Sequence, residues 1–415
     1  MKYTLYFPDR KLQGKVNLPS SKSISNRLLV IRALTPGGFS LAGLSDSDDT
    51  QALQQGLQSP SKVIDIGHAG TSMRFLTAYF AATCRAKTIT GSERMKNRPI
   101  SDLADALNQL GADITYLEKQ GYPPVRTSGK PLSGNLIEIN GNVSSQFISA
   151  MLMVAPSLSN GLTIRIKGVP VSASYIRMTL GLMQQADIRS TWENNVITVE
   201  QQNYRSDGMC VERDRSAASY WYQMAALADD AGLLLEGVYE KSIQGDAIIS
   251  EMACPLGVKT EYTSEGTLLT KHRNICRKLE FDFTDTPDLV QTMVVTCCLK
   301  NIRFRFSGVQ TLRIKETDRI AALQNELLKL GYCVKETEPG VIEWNGERTK
   351  SQHLPCISTY HDHRMAMAFA PAAMYFPGLQ IEDPEVVSKS YPNFWNDLKK
   401  VGFINKPMMK PCKGR

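Results

Sequence analysis

Leu18-Pro19-Ser20-Ser21-Lys22-Ser23-Ile24-Ser25-Asn26-Arg27, running into the apolar stretch 28–34, is the segment that decides the fold. Small hydroxyl side chains stand where a helix N-cap is wanted and helical apolar spacing follows, so a helix is expected to begin near Ser21. From that start Ser23 and Arg27 lie four residues apart on one face, and Lys22 shares the end with the free backbone N–H groups. Such an end suits an anion, although the same residues also describe an ordinary capped helix with solvated charges. The pattern returns. Gly70-Thr71-Ser72-Met73-Arg74, Ser144-Ser145-Gln146, Ser216-Ala217-Ala218-Ser219, Thr286-Pro287-Asp288 and Asp362-His363-Arg364 each open a segment of small and apolar residues. From Thr71 onward the starts recur at roughly 70 to 75 residues, which points to repeated structural units. Helices apolar on nearly every face are buried. The expected class is therefore α/β, with these helices inside, strands or polar helices around them, and several cation-bearing helix starts converging on one cleft.

The bulk properties fit this picture. A chain of 415 residues is long for one core, so two domains are expected. The formal net charge is +7, from 48 Lys and Arg against 41 Asp and Glu. Without a long basic run or interleaved aromatic stripe this favours a small polyanionic substrate over nucleic acid. No apolar run approaches the roughly 18 residues of a membrane span, and the first ten residues lack a signal-peptide core, so a cytoplasmic protein without membrane contact is expected. The nine Cys form no CxxC pair and are expected to be reduced and mostly buried. His361 and His363 flank Asp362, but no further ligand clusters with them, so no metal site is expected.

Taken in order, Lys2–Phe7 and Lys15–Leu18 are expected as strands before the opening helix, and Val63–Ile66 leads to Gly67-His68-Ala69-Gly70-Thr71. There Gly70 permits close backbone approach and Thr71 can cap the helix that carries Arg74. The loop Ser92-Glu93-Arg94-Met95-Lys96-Asn97-Arg98-Pro99 gathers cations just before a proline-started helix, 100–110. Lys315 and Arg319 are expected on one helical face with Glu316 beside them. Asp288 stands at a helix start, which favours its ionised form. Domain crossings are expected near Pro19–Ser21 and Val211–Asp214. The first domain, 21–212, would then be an insertion between two hinge strands of a second domain, 1–20 plus 213–415, able to close over a ligand.

The motifs LPSSKSISNR, GHAGTSMR, RMKNRP, SSQF, TPD, IKETDR, DHRMAMA and SKSYP stand in the order found in the 5-enolpyruvylshikimate-3-phosphate synthases, and the chain resembles that family over nearly its whole length. The resemblance implies the two-domain enolpyruvyl transferase fold, an inside-out α/β barrel in which each domain has three βαβαββ-like units with buried parallel helices. It implies transfer of the enolpyruvyl group of phosphoenolpyruvate to the 5-hydroxyl of shikimate 3-phosphate, by addition and then loss of phosphate. Shikimate 3-phosphate would meet Lys22, Ser23, Arg27, Ser144, Ser145, Gln146, Ser172, Tyr175, Asp288, Thr311 and Lys315. Phosphoenolpyruvate would meet Lys22, Gly70, Arg98, Gln146, Arg319, Arg364 and Lys389. Asp288 is the implied base, Glu316 the implied acid toward the methylene carbon, and Lys22 or Lys389 could share proton transfer. No cofactor or metal is implied, and a monomer is expected.

Four positions depart from the family pattern: His68, Thr311 and His361 stand where Asn is usual, and Phe75 where Pro is usual. The rival of the same fold and chemistry, UDP-N-acetylglucosamine enolpyruvyl transferase, is expected to carry a reactive Cys before the Arg-Pro pair, and Ser92–Asn97 has none. A binding protein that had lost turnover would be expected to lack Asp288, Glu316 or a phosphate-side cation, and all are present.

Overall fold

The computed structural model describes residues 1–142 and 144–408. The chain divides into two compact units, one formed by Ser20–Glu212 and the other by Met1–Pro19 with the chain from Arg213 onward. Among the described residues the strands form five four-stranded sheets and one two-stranded pair. Every four-stranded sheet repeats one plan: a parallel pair whose second strand follows a buried helix, extended on one side by two antiparallel strands.

In the Ser20–Glu212 unit, Val63–Asp65 runs parallel to Lys87–Thr90, and Val125–Thr127 then Ile114–Tyr116 follow antiparallel. Leu136–Asn140 and Leu162–Lys167 make the next parallel pair, extended by Val196–Val199 and Ser190–Glu193. The third copy is reduced to Ser40–Ala42 beside Gly208–Cys210. Register follows from alternation. Ile137 pairs with Ile164 and Ile139 with Ile166, so every second side chain of both strands enters the core while the others face out.

Against these sheets pack three helices, α1 (Lys22–Leu34), α2 (Gly70–Ala82) and α3 (Ser145–Val154). Their composition explains their place. Small and apolar residues make up most of α2 and α3, and nearly every residue of both is buried.

The other unit repeats the plan with complete sheets. The parallel pairs are Lys11–Asn17 with Asp230–Glu236, Lys278–Asp282 with Arg303–Ser307, and Cys356–Ile357 with Leu379–Glu382. Lys2–Tyr6 lies antiparallel between Leu379–Glu382 and Ile404–Met408, so the chain start completes the last sheet. The buried helices are α4 (Arg215–Leu227), α5 (Val290–Leu299) and α6 (His363–Phe369). The carbonyls at the end of α4 are closed by ammonium groups: Lys271 Nζ donates to Ala226 O at 2.9 Å and Ala228 O at 2.6 Å, and Lys300 Nζ to Ala226 O at 2.8 Å. Burial first, then the neighbouring Lys300, pulls Lys271 down to about 8.

Local expectations needed correction in three places. The helix after the cationic loop begins at Ser101 with Ile100 as N-cap, so Pro99 precedes it rather than opening it. The strand expected at Lys15–Leu18 starts at Lys11, because its ladder with Asp230–Glu236 runs the full length of both. Of the eight described cysteines only Cys297 and Cys298 are buried, while Cys84, Cys210 and Cys254 are exposed. All eight are free thiols, and Cys412 lies outside the described residues.

Candidate active site

Helix starts carry most of the chemistry in the Ser20–Glu212 unit. Ser21 caps α1 in extended conformation, its Oγ accepting from Ile24 N at 3.4 Å. Lys22 Nζ pairs with Asp49 Oδ2 at 3.2 Å. Arg27 is 2% exposed, and its guanidinium donates to Thr179 Oγ1 at 2.7 Å, Ser23 O at 2.9 Å and Ser149 Oγ at 3.1 Å. These acceptors are neutral. Among the described residues Arg27 has no carboxylate partner, and burial pulls it down to about 10, with Tyr175 opposing. Instead, aromatic faces flank it: its Cζ lies 5.6 Å from the Phe75 ring centre and 5.7 Å from that of Tyr175.

The start of α2 differs from expectation. Ala69 is the N-cap, and Thr71 lies inside the first turn, where its Oγ1 accepts from Gln146 Nε2 at 3.3 Å. Gly70 packs so closely on Arg98 that a Cβ there would collide with the guanidinium. Arg74 stitches the same two segments, donating to Gly70 O at 2.9 Å and Pro99 O at 3.0 Å. His68 Nδ1 and Ser92 Oγ, 2.8 Å apart, add a link between the turn and the cationic loop. Ser144 caps α3 by accepting from Gln146 N at 3.3 Å, and Ser145 begins that helix. Ser172, in left-handed conformation with φ 56°, precedes the helix Ala173–Gln185 that carries Tyr175. Thus Lys22, Ser23, Arg27, Gly70, Arg98, Ser144, Ser145, Gln146, Ser172 and Tyr175 all sit at helix starts or on segments pinned to them.

In the other unit an ion-pair network is built around Arg319, which is 1% exposed. Its guanidinium meets Asp362 Oδ2 at 2.7 Å, Glu316 Oε2 at 2.9 Å and Asp288 Oδ1 at 3.3 Å. Burial alone would weaken its hold on the proton, but Asp362, Glu316 and Asp288 outweigh it and raise Arg319 above the ordinary guanidinium range. Asp288 also pairs with Arg364 Nη2 at 2.7 Å, and Glu316 Oε1 with Lys389 Nζ at 2.9 Å. Three cations thus interlock with three carboxylates.

One expectation about this network is corrected. Lys315 and Arg319 do not share a helical face: Arg319 is the first residue of the helix Arg319–Lys329, capped by Asp318, and Lys315 precedes it in extended conformation. Asp288 stands where expected, at the start of α5, in the short 3-10 turn Pro287–Leu289 that leads into it. Thr311 is buried in the turn Gln310–Ile314, just before Lys315.

Sequence reasoning missed Asp49, Tyr220 and Asp246, whose partners are distant in sequence, and gave no role to Asp362, which caps α6 and clamps Arg319 together. Only Asp362 had a local signal, an acidic residue two positions before Arg364 at a helix start. Tyr220, pushed up to about 12 chiefly by burial, accepts a hydrogen bond from Arg364 Nη1 at 3.4 Å. Among the described residues no group of three His, Cys, Asp or Glu could hold a metal ion, and no helix is long and apolar enough to cross a membrane.

Each unit repeats one sheet-and-buried-helix plan and gathers cations at helix starts, and comparison with known proteins identifies the transferase fold to which this plan belongs. The family model for EPSP synthase (3-phosphoshikimate 1-carboxyvinyltransferase) matches residues 8–59 and 52–398. The 3-phosphoshikimate 1-carboxyvinyltransferase of Bacteroides fragilis strain YCH46 is 51% identical over 404 residues, 97% of this chain and 98% of that protein. The enzyme of that name from Photobacterium damsela subsp. piscicida is 36% identical, over 95% and 98% of the two chains. EPSP synthase from Acinetobacter baumannii, solved at 2.37 Å, shares the fold with a TM-score of 0.76 at 21% identity, covering 98% of this chain and 100% of that one. The chain belongs to the EPSP synthase family.

Proposed function

We propose that this chain transfers the enolpyruvyl group of phosphoenolpyruvate to the 5-hydroxyl of shikimate 3-phosphate and releases phosphate. The observation that carries the reading is Arg27, a buried guanidinium among hydroxyls, carbonyls and aromatic rings with no carboxylate partner among the described residues. A buried charge without a counter-ion is costly, and a substrate carboxylate removes that cost. Ser23 lies one turn away on the same helix, and Ser144, Ser145 and Ser172 supply hydroxyl donors for the sugar-acid phosphate. Tyr175 is assigned beside that phosphate and Gln146 to the ring side.

The groups assigned to phosphoenolpyruvate are Lys22, Gly70, Arg98 and Gln146 in the Ser20–Glu212 unit, and Arg319, Arg364 and Lys389 in the other. Asp288 accepts the 5-hydroxyl proton as the oxygen bonds to the central carbon of phosphoenolpyruvate. Glu316, paired with Arg319 and Lys389, relays a proton from Lys389 Nζ across their 2.9 Å contact to the methylene carbon, and Lys22 is the other candidate for that transfer. The same groups then remove a proton from the methyl carbon as the carbon–oxygen bond to phosphate breaks. Arg319 and Arg364 stabilise the charge that develops on the leaving phosphate. Lys315 and Thr311 hold substrate hydroxyls. Free thiols among the described cysteines support a reducing, cytoplasmic setting, and we propose that the chain works there as a monomer on small molecules.

Calorimetric titration with shikimate 3-phosphate tests the reading. The natural chain should bind it, and Arg27→Met should lower affinity by about 100-fold, the scale of a lost buried charge-assisted pair. Phe75→Leu, which keeps apolar volume but removes one π face from Arg27, should lower it by about threefold to fivefold. Unchanged affinity in Arg27→Met would remove Arg27 from the substrate site.

A further inference from the structure

Another buried carboxyl, Asp246, feels the charges of the Arg319 network, and the reaction scheme above does not use it. Asp246 lies in the short turn Gly245–Ile248, 4% exposed. One of its oxygens accepts from Ser216 Oγ, and the other, Oδ1, has no hydrogen-bond partner among the described residues. No cation reaches it as an ion pair among those residues. An ionised carboxylate in that condition is costly, whereas the neutral acid is not. The surroundings agree. Burial first, then the charge of Asp288, pushes Asp246 up to about 7, opposed by the Ser216 hydroxyl and Arg364, with Asp214 adding to the rise.

The connection to the network runs through α4. Ser216 and Tyr220 stand four residues apart on one face of that helix. Ser216 holds Asp246, and Tyr220 lies under Arg364, whose other nitrogen pairs with Asp288 at 2.7 Å. Of the remaining charges on the packed elements, Asp214 caps α4 through Ala217 N, Arg215 turns its guanidinium to the Tyr239 carbonyl, and Glu251 on the helix Ile249–Ala253 is exposed.

We propose that Asp246 is a positioning residue for the anion site, one that serves it only while carrying its proton. Neutral, it leaves the charge of Arg364 to Asp288 and to the incoming phosphoenolpyruvate. Ionised, it adds a fourth carboxylate to a network balanced at three and competes for Arg364. The proposal rests on the function given above, so its test has one arm that needs turnover and one that does not.

In the turnover arm, KM for phosphoenolpyruvate and kcat are measured from pH 6 to 8.5 for the natural chain, Asp246→Asn and Ser216→Ala. Changes due to the substrates' own ionisation appear in all three. Beyond these, KM of the natural chain should rise by about tenfold with a midpoint near 7, an effect of one added charge at short range, with kcat changing less. In Asp246→Asn that rise should be absent. In Ser216→Ala, which takes a hydrogen bond from the ionised form, the midpoint should move up by about half a unit or more.

In the second arm, thermal midpoints are compared without substrate. A carboxyl raised from 3.8 to about 7 by folding binds more protons folded than unfolded in that window, so stability falls as pH rises through it and the loss is complete above about 7. The advantage of Asp246→Asn over the natural chain should therefore grow between pH 4 and 7 and level off above. A parallel pair of stability curves, or a natural-chain KM rise that persists in Asp246→Asn, overturns the proposal. Loss of all turnover in the natural chain would sink the functional reading while leaving the stability arm decisive for Asp246. Should Asp246→Asn fold poorly, the Ser216→Ala midpoint decides: an unmoved value overturns the proposal.

Discussion

Asp288→Asn is expected to hold shikimate 3-phosphate within about tenfold of the natural affinity and to lower turnover by about 100-fold or more, the scale of a lost general base. The amide keeps the shape of the side chain, so contact with Arg364, now 2.7 Å from Oδ2, survives as a weaker hydrogen bond. What is lost is the ability to take a proton from the 5-hydroxyl. Calorimetry paired with steady-state rates separates the two effects. Turnover within about threefold of natural would take Asp288 out of the proton-transfer step and leave it only the task of aligning Arg364 and Arg319.

The second large effect concerns Arg319. Replacing it by Met, of similar length, removes the positive centre that Asp288, Glu316 and Asp362 share. Asp362, fully buried, would lose its best partner, and a loss of about 3 to 5 kcal/mol of stability is expected from breaking such a buried pair. Urea unfolding of Arg319→Met beside the natural chain measures it. A cost under about 1 kcal/mol would show that water or a rearranged Lys389 replaces the guanidinium and that the network is not built on it.

Helix starts were the most legible feature of the sequence because capping is local chemistry. Ser21 and Ser144 cap α1 and α3 through their own hydroxyls, as the residue pattern implied. Where two capping signals compete, the pattern misleads. Asp318 captures the start of its helix through Ile320 N and Ala321 N, which throws Lys315 out of the helix and breaks the expected face shared with Arg319. Similarly, Asp214 caps α4, so the Ser216 hydroxyl is left to face Asp246.

The repeat was visible as a recurrence of helix starts, but the sheet plan behind it was not. Strands such as Ile114–Tyr116 and Val125–Thr127 are three residues long and half polar, and only their partners define them. Asp49 and Asp246 were illegible for a related reason. Each is a single acid in an unremarkable stretch, and its meaning comes from Lys22 or from Ser216 and Asp288, brought near by folding. Phe75 was legible only as a departure from the family pattern. Its ring packs against Arg27, a contact that sequence spacing does not reveal.

In the proposed reaction phosphoenolpyruvate is consumed only as its enolpyruvyl group passes to shikimate 3-phosphate. Phosphate release from phosphoenolpyruvate is therefore to be followed with the purified natural chain. Release should require shikimate 3-phosphate, match it mole for mole, and fail with UDP-N-acetylglucosamine in its place. Release that proceeds without shikimate 3-phosphate, or equally well with UDP-N-acetylglucosamine, would contradict the proposed reaction.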